Sequence, residues 1–471
     1  MSNNNIDYRH PAYNEFLPEW ELIDDCVDGE RKVKKKRQKY LPHPSADHLN
    51  DDPTSERYNA YIGRATFLNA TGRTLSGLLG IAFNKPPRIE LKGAISCIEA
   101  DADGEGQPLS QLIRDALNQN LKRGRAGVLT DYTGSGVQTE ETKGRPVLRL
   151  FSAKEIINWR VTNGKTSLVV VHYVEPEESE EDFKVVMTDY WIELRLIGGN
   201  ACSKRWRKTN NGLESEEYME LKDAQGTPLK ELPWSWIGSA NNDHTPDSPP
   251  LADIAYINIK HYQAEADIAE AAHTVGQPMV ALTGLTDNWV NKHLPNGFVV
   301  GSRKGVLLPV GGDFKFGQPE DRNIIITVAE RREKQMAMLG AKLVERNTSA
   351  RTATQAGDEA QTDNSVLSLC AGNVEQAINR ALSFAVLFAG GGDGKVELSK
   401  KYDISQLDSQ GITALMAAVN SGGVRLIDFV RYQQRIGLIP AEDKPEDVLE
   451  QLEEQPPTGL GGILNDIVEK E

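Results

Sequence analysis

The sequence predicts an α+β chain organised around a helical hairpin, on three observations. Two helix-length segments of nearly equal size, Leu251 to Gly276 and Ile324 to Asn347, flank a short insert that lacks helical period. The stretch from Leu168 to Trp236 alternates as strands do, and a third helix-length segment begins near Thr362. Helices and strands that segregate along a chain in this way describe an α+β architecture.

Taken in order, residues 1 to about 50 are polar with several aromatics, and Arg31 to Lys39 holds seven basic residues in nine. Such a run can mark nucleic-acid or targeting contacts. In a chain of formal charge −15 it is read instead as a solvated helix or as a patch for a neighbouring subunit's acidic surface. Ser55 to Phe83 carries Tyr58, Tyr61, Ile62, Ala65, Leu68, Leu75, Leu78 and Leu79 at helical spacing and stops at Pro86-Pro87. Leu109 to Arg123 is a second helix, followed by the apolar run Gly127 to Tyr132 and a turn. Strands are expected over Leu168 to Val174, Phe183 to Leu196 and Lys204 to Trp206, with the tryptophans packing a twisted sheet. The acidic run Glu175 to Asp182 between them reads as an exposed loop.

The turn-rich run Asn241 to Pro250 gives the hairpin a clear start. Ile254, Ile257, His261, Ala264, Ile268, Ala271 and Val275 then recur at steps of three and four, as do Ile325, Val328, Arg332, Met336, Leu339 and Leu343 in the second segment. At 1.5 Å per residue the helices are roughly 39 and 36 Å long, a match that suits an antiparallel pair. The first is net −3 and the second net +2. Either the acidic helix of one copy lies beside the basic helix of another, or both faces are simply solvated. Gln277 to Asn323 reads as a small knob of short strands around Met279 to Leu282, Phe298 to Val300 and Val306 to Val310, with a helical turn near Thr286 to Leu294. Arg346 to Gly357 is a small, polar loop with no large apolar anchor. The helix from Thr362 is expected to bend at Gly372, and Lys395 to Ser405 to return as a strand to the sheet of the body. Short helices follow over Ile412 to Val419, Arg425 to Ile436 and Pro445 to Glu454. Residues 441–471 are net −8.

This order of long helix, α/β knob, returning helix, small polar loop and bendable helix resembles the portal proteins of tailed double-stranded DNA phages. Pro249 to Tyr262 (Pro-Pro-Leu-Ala-Asp-Ile-Ala-Tyr-Ile-Asn-Ile-Lys-His-Tyr) looks like that family's stem entry, and Ala350-Arg351-Thr352-Ala353-Thr354 like its tunnel-loop segment. Ser55 to Phe83, Leu109 to Tyr132 and Phe151 to Arg160 are similar to its wing. The resemblance implies a portal fold: an α/β wing over 1–250, stem helices over 251–276 and 324–346, a small α/β clip over 277–323, and a tunnel loop over 347–361. A bent helix with a return strand over 362–405 and a helical crown with an acidic tail over 406–471 complete it. It further implies a ring of twelve copies at one capsid vertex of the virion, assembled in the host cytoplasm, through which viral double-stranded DNA is packaged and ejected. Its partners would be the terminase large subunit, the major capsid protein, and head-tail adaptor or tail proteins. Arg346, Asn347, Thr348, Ser349, Arg351 and Thr352 would come nearest to the DNA, and Asn288, Lys292, Arg303 and Lys304 would serve docking on the clip.

Composition bears on function independently. With 39% hydrophobic and 26% charged residues the 471-residue chain has ordinary globular make-up, and no apolar window meets the roughly 20-residue bilayer requirement. Met1 to Asn5 does not open a secretory signal, so cytoplasmic synthesis is expected. Cys26, Cys97, Cys202 and Cys370 are far apart and suggest neither a disulfide framework nor zinc. A net −15 argues against a broad basic grip on nucleic acid; twelve chains at −15 each give −180, a wall that surrounds DNA without holding it.

Enzyme signatures are incomplete. Asn163-Gly164-Lys165-Thr166 ends like a phosphate loop, but Trp159 stands where its first Gly belongs. Asp101 to Gly106 opens like a calcium loop, yet Leu112 occupies the twelfth position. His261 is expected to be a packing residue. A non-enzymatic role without cofactor is therefore expected. A different ring-forming adaptor or capsid scaffold is the alternative, and an enzyme whose site residues meet only in space is a weaker one.

Overall fold

The protein is described by a computed structural model covering residues 5–44, 55–133, 144–178, 185–209, 212–275, 279–294, 308–317, 323–344 and 365–400, together with Ile427. The chain divides into two units, residues 1–402 and 403–471. The expected crown belongs to the second, which apart from the helical Ile427 lies outside the described residues.

The fold is α+β, with helices and antiparallel sheets. The N-terminal part contributes α1 (Pro11–Asp28), α2 (Glu30–Lys35), α3 (Glu56–Arg64) and α4 (Ala70–Ala82). Strand β1 (Arg88–Lys92), the short α5 (Cys97–Ala100) and α6 (Leu109–Arg123) follow. Next come β2 (Arg125–Thr133), β3 (Arg145–Ser152), β4 (Ile156–Thr162), β5 (Lys165–Glu178), β6 (Val185–Ile197), β7 (Asn200–Thr209), β8 (Gly212–Ser215), β9 (Met219–Glu220) and β10 (Trp234–Gly238). The chain then runs through α7 (Ala252–Val275), β11 (Met279–Thr283), α8 (Asp287–His293), β12 (Asp313–Gly317), α9 (Asn323–Lys342), α10 (Val366–Ala389) and β13 (Asp393–Glu397).

Two sheets shape the body, one ordered β10-β2-β3 and the other β4-β5-β6-β7-β8 with β9 beside β7. The Asn163-Gly164 dipeptide proves to be the β4–β5 hairpin turn, both residues having positive φ (52° and 74°), which Asn and Gly adopt at least cost. Trp159, Trp191, Trp206, Trp234 and Trp236 are all buried in the core around these sheets, as packing residues. A second core joins α1, α3, α4, α6, α7 and α10.

Three expectations change. The single helix over Ser55 to Phe83 is two: Ala65 leaves the helix with extended backbone (φ −63°, ψ 137°), and Asn69 caps a new one through Gly72 N (2.9 Å). The break lets both Ala65 and Phe67 be buried. It is held by Asn258 of α7, which donates to the Leu68 carbonyl (2.7 Å) and accepts from Thr71 N (3.1 Å). The helix with Gly372 runs unbroken from a Ser365 cap to Gly390, whose φ of 74° ends it. The last strand does not join the body sheets. Among the described residues it pairs with β1 alone, and Asn379 of α10, bound to Val396 N and O (both 2.8 Å), holds the turned-back chain along the helix.

Helix α4 carries Gly77 and Gly80 with no atom within 4 Å of the space a methyl group would fill. Ala at either position should stabilise the chain by about 0.5–1 kcal/mol through helix propensity. Urea melts of each variant check this, and a loss would mean that another surface closes on this face.

Candidate functional site

The hairpin expected from the sequence is present as α7 and α9, packed against each other along buried Ala329 and Met336. His261 is buried at this seam, with Nε2 3.2 Å from a Glu333 carboxylate oxygen and 3.8 Å from Glu265. One residue along, Arg332 donates to the Lys260 carbonyl. The expected packing role of His261 holds, with a polar contact between the helices added.

Helix α7 is also tied to the body. Tyr61 donates to Asp267 (2.7 Å), Arg64 pairs with Glu270, and Gln263 donates to the Tyr40 carbonyl (2.7 Å). Two of the acidic groups that make α7 net negative therefore meet partners of their own chain. On α9 the face turned away from Ala329 and Met336 carries Arg331, Lys334 and Lys342, all exposed and without an ion-pair partner among the described residues. Spacings of three and eight residues put them along one side. The sequence shows their charges but not which side of the pair they occupy.

Between the helices, β11 and β12 pair antiparallel in register Met279↔Gly317 to Thr283↔Asp313. The seven-residue helix α8 places Asn288 and Lys292 exposed on one side, four residues apart. Arg303 and Lys304 lie outside the described residues. So do Arg346, Asn347, Thr348, Ser349, Arg351 and Thr352.

A joint that sequence reasoning missed connects this hairpin to the body. The loop after β10 is bound on all sides: Asn120 of α6 and Asn373 of α10 donate to the Gly238 carbonyl (3.1 and 2.8 Å), and Asn242 donates to the Asn373 carbonyl (2.8 Å). Asp247 accepts from Ala240 N and Asn241 N. Beneath it Arg125 is fully buried, its guanidinium 4.1 and 4.2 Å from the ring centres of Trp159 and Trp236 and donating to the His244 carbonyl (2.6 Å). Burial lowers the Arg125 pKa to about 9, opposed by Asp243 and Asp247. Asn-rich turns were visible in the sequence, but their partners stand more than a hundred residues away.

Other candidates resolve structurally. In the Asp101 loop one Asp101 oxygen accepts from Gly104 N and Gly106 N and the other pairs with Arg145, while Asp103 accepts from Glu105 N and Gln107 N. Among the described residues no group of three His, Cys, Asp or Glu is placed to hold a metal, and no helix is long and apolar enough to cross a membrane. Burial pushes the Cys26 and Cys370 thiols up to about 12, far from a reactive thiolate. In the basic run Lys32, Lys34, Lys36 and Lys39 pair with Asp28, Glu30, Asp25 and Glu21, and Arg37 donates to Asn59.

Residues 250–389 match a family model described as a domain of unknown function (DUF4055). The match spans α7, the knob, α9 and α10, and its description names no activity. The chain has no match among curated proteins. Among solved structures, it is similar to a chain from the neck of an empty gene transfer agent particle (TM-score 0.37, 14% identity, 79% of this chain and 90% of that one). A chain from the virion of a native gene transfer agent particle gives TM-score 0.36 and 14% identity, over 82% and 95%. One from the neck of the native particle gives 0.33 and 12%, over 79% and 90%. A likeness at a TM-score below 0.5 carries no argument about fold or function.

Proposed function

We propose that the chain is a structural subunit of a phage-like head–tail junction, and specifically a portal: one of a ring of copies around a DNA channel at a capsid vertex. The observation that carries this is the antiparallel pair of α7 and α9 with a small α/β knob at its end and α10 returning to the body, the order on which the sequence resemblance rests. In this reading the helical pair is the stem and the knob is the clip, where a terminase motor and later adaptor or tail proteins dock through Asn288, Lys292, Arg303 and Lys304. The segment from Arg346 to Thr352 stands nearest the DNA. A small, polar segment makes weak phosphate contacts, which suit a sliding polymer better than a strong site would. The role is non-enzymatic, with packaging energy supplied by a separate ATPase chain.

Electron microscopy of the purified protein tests the reading. Expected are rings of twelvefold or near-twelvefold symmetry with a hole at least as wide as the ~20 Å duplex, since closed rings are what heterologous interfaces build. Charge reversal at Arg346 and Arg351 should then alter DNA packaging while the rings persist. A stable dimer or a closed particle without a hole would overturn the portal reading and favour a scaffold.

A further inference from the structure

An imidazole caps the first helix. His10 immediately precedes α1, and its Nδ1 accepts a hydrogen bond from Ala12 N (3.2 Å). In a neutral ring the accepting nitrogen carries no proton, so the proton sits on Nε2. A second proton can go only to Nδ1, the atom that holds the cap. Charging the ring therefore replaces the acceptor with a donor that faces the Ala12 N–H.

The surroundings oppose the same charge. His10 stacks on Trp159 of β4 with ring centres 4.0 Å apart, and the Arg125 guanidinium lies 4.1 Å from the centre of that indole. Two groups so close to one ring centre cannot share a face, so the indole stands between them. A cation can rest on an indole, but here the opposite face already holds one. Helix α1 also directs the positive end of its dipole at His10. The charged groups acting on the ring are Arg125 of β2 and His244 of the loop after β10, and both disfavour a proton, while Asp243 and Asp247 act on Arg125. Burial, together with Arg125 and His244, holds the His10 pKa below its ordinary value.

What the cap secures is a short strap. His10 N donates to the Ile157 carbonyl of β4 (2.9 Å), and Ile6 is buried in the core that contains Trp159. In the first turn of α1, Tyr13 donates to the Lys154 carbonyl (3.0 Å). Asn5, Ile6 and Tyr8 line a pocket with Arg160, Glu193 and Trp206. Further along, α1 is fixed independently: Trp20 donates to the Arg123 carbonyl (2.9 Å), and Asp24 pairs with Arg123 and Lys122. Loss of the cap therefore stays local.

We propose that residues 5–10 and the first turn of α1 are a strap that releases from β4, and opens this pocket, when His10 takes up a proton. The lowered pKa gives the sign. The folded form binds the proton less well than the unfolded chain, so the strap's hold is complete above the ordinary value of 6.5 and is lost as pH falls through the lower folded value. The strap lies within one chain and works whether or not copies form a ring.

Backbone hydrogen exchange of the full chain, read by mass spectrometry and corrected for the intrinsic effect of pH, tests this. Between about pH 7.5 and about pH 5, protection of residues 8–14 should fall about tenfold, the scale of a lost helix cap, while residues 20–28 keep theirs. His10→Asn, whose amide oxygen caps without titrating, should hold protection at both pH values, and His10→Ala should show the acid level at both. Wild-type protection that is the same at the two pH values overturns the proposal. So does an equal fall in His10→Asn, which would place the titration elsewhere, or a loss that spreads evenly along α1.

Discussion

Replacing Asp24 with Asn should cost about 3 kcal/mol of folding stability, read as a lower urea midpoint with an unchanged slope. Asp24 lies on α1 and both its oxygens are 2.7 Å from one nitrogen of Arg123. Lys122 is 3.1 Å away and Lys154 3.3 Å. The Asp24, Lys122 and Arg123 side chains are largely buried, so the substitution leaves cations out of water with no counter-charge. The same group ties α1 to the end of α6, where Trp20 also donates to the Arg123 carbonyl (2.9 Å). Burial pulls the Asp24 pKa up, but Arg123 and Lys122 outweigh it and the carboxyl is held below its usual range. A depressed folded-state value means that this stabilisation is present above the ordinary carboxylate pKa of about 4 and is lost as pH falls through the folded value. The gap between wild type and variant should therefore narrow in acid. A variant within about 0.5 kcal/mol of wild type at pH 7 would show that the cations find water instead.

Ala at Gly238 should be as damaging, at about 3 kcal/mol or more, because overpacking here meets backbone rather than a side chain that can swing away. A methyl group at this position would sit 2.0 Å from the Asn241 carbonyl oxygen and 2.5 Å from an Asp247 carboxylate oxygen. Gly124 faces the same loop from the other side. It closes α6 with φ +65°, and its methyl group would lie 2.5 Å from the Asp247 carbonyl oxygen. Displacing the loop releases the Gly238 carbonyl from Asn120 and Asn373, and with it the entry to α7. Gly372→Ala is the internal control. Its methyl group would meet only the Lys400 Cε at 3.7 Å, within a helix, so that variant should be neutral or more stable. Thermal melts of the three variants check the order; equal effects would mean that the loop yields and is no rigid joint.

Much of the helical pattern was legible because apolar residues repeat on one helix face whatever they pack against. Leu109 to Arg123 was found at its true ends, and α7 and α10 within a few residues of theirs. Phe183 to Leu196 covers nearly all of β6, whereas β5 and β7 run longer than expected; Glu175 to Glu178 belong to an acidic run that looks like a loop until its pairing with β6 is known. The continuous helix over Ser55 to Phe83 failed for a tertiary reason. Its periodicity was adequate, but Asn258, nearly two hundred residues away, stabilises the break. Of the candidate site, the hairpin and its knob were legible; Asn288 and Lys292 lie exposed on α8, and the loop from Arg346 to Thr352 falls outside the described residues.

What the chain's order of residues settles is therefore local and periodic: which segments are helix, where Gly, Pro and Asn interrupt them, and that no familiar catalytic motif is complete. What required the folded chain is every choice among distant partners. The pairing of Asp267 and Glu270 with α3, the burial of Arg125 between two indoles and the exposed cationic side of α9 all belong to this class. The physical reason is range. Helix propensity and capping act over three or four residues, whereas desolvation and ion pairing depend on which surfaces the whole chain brings together.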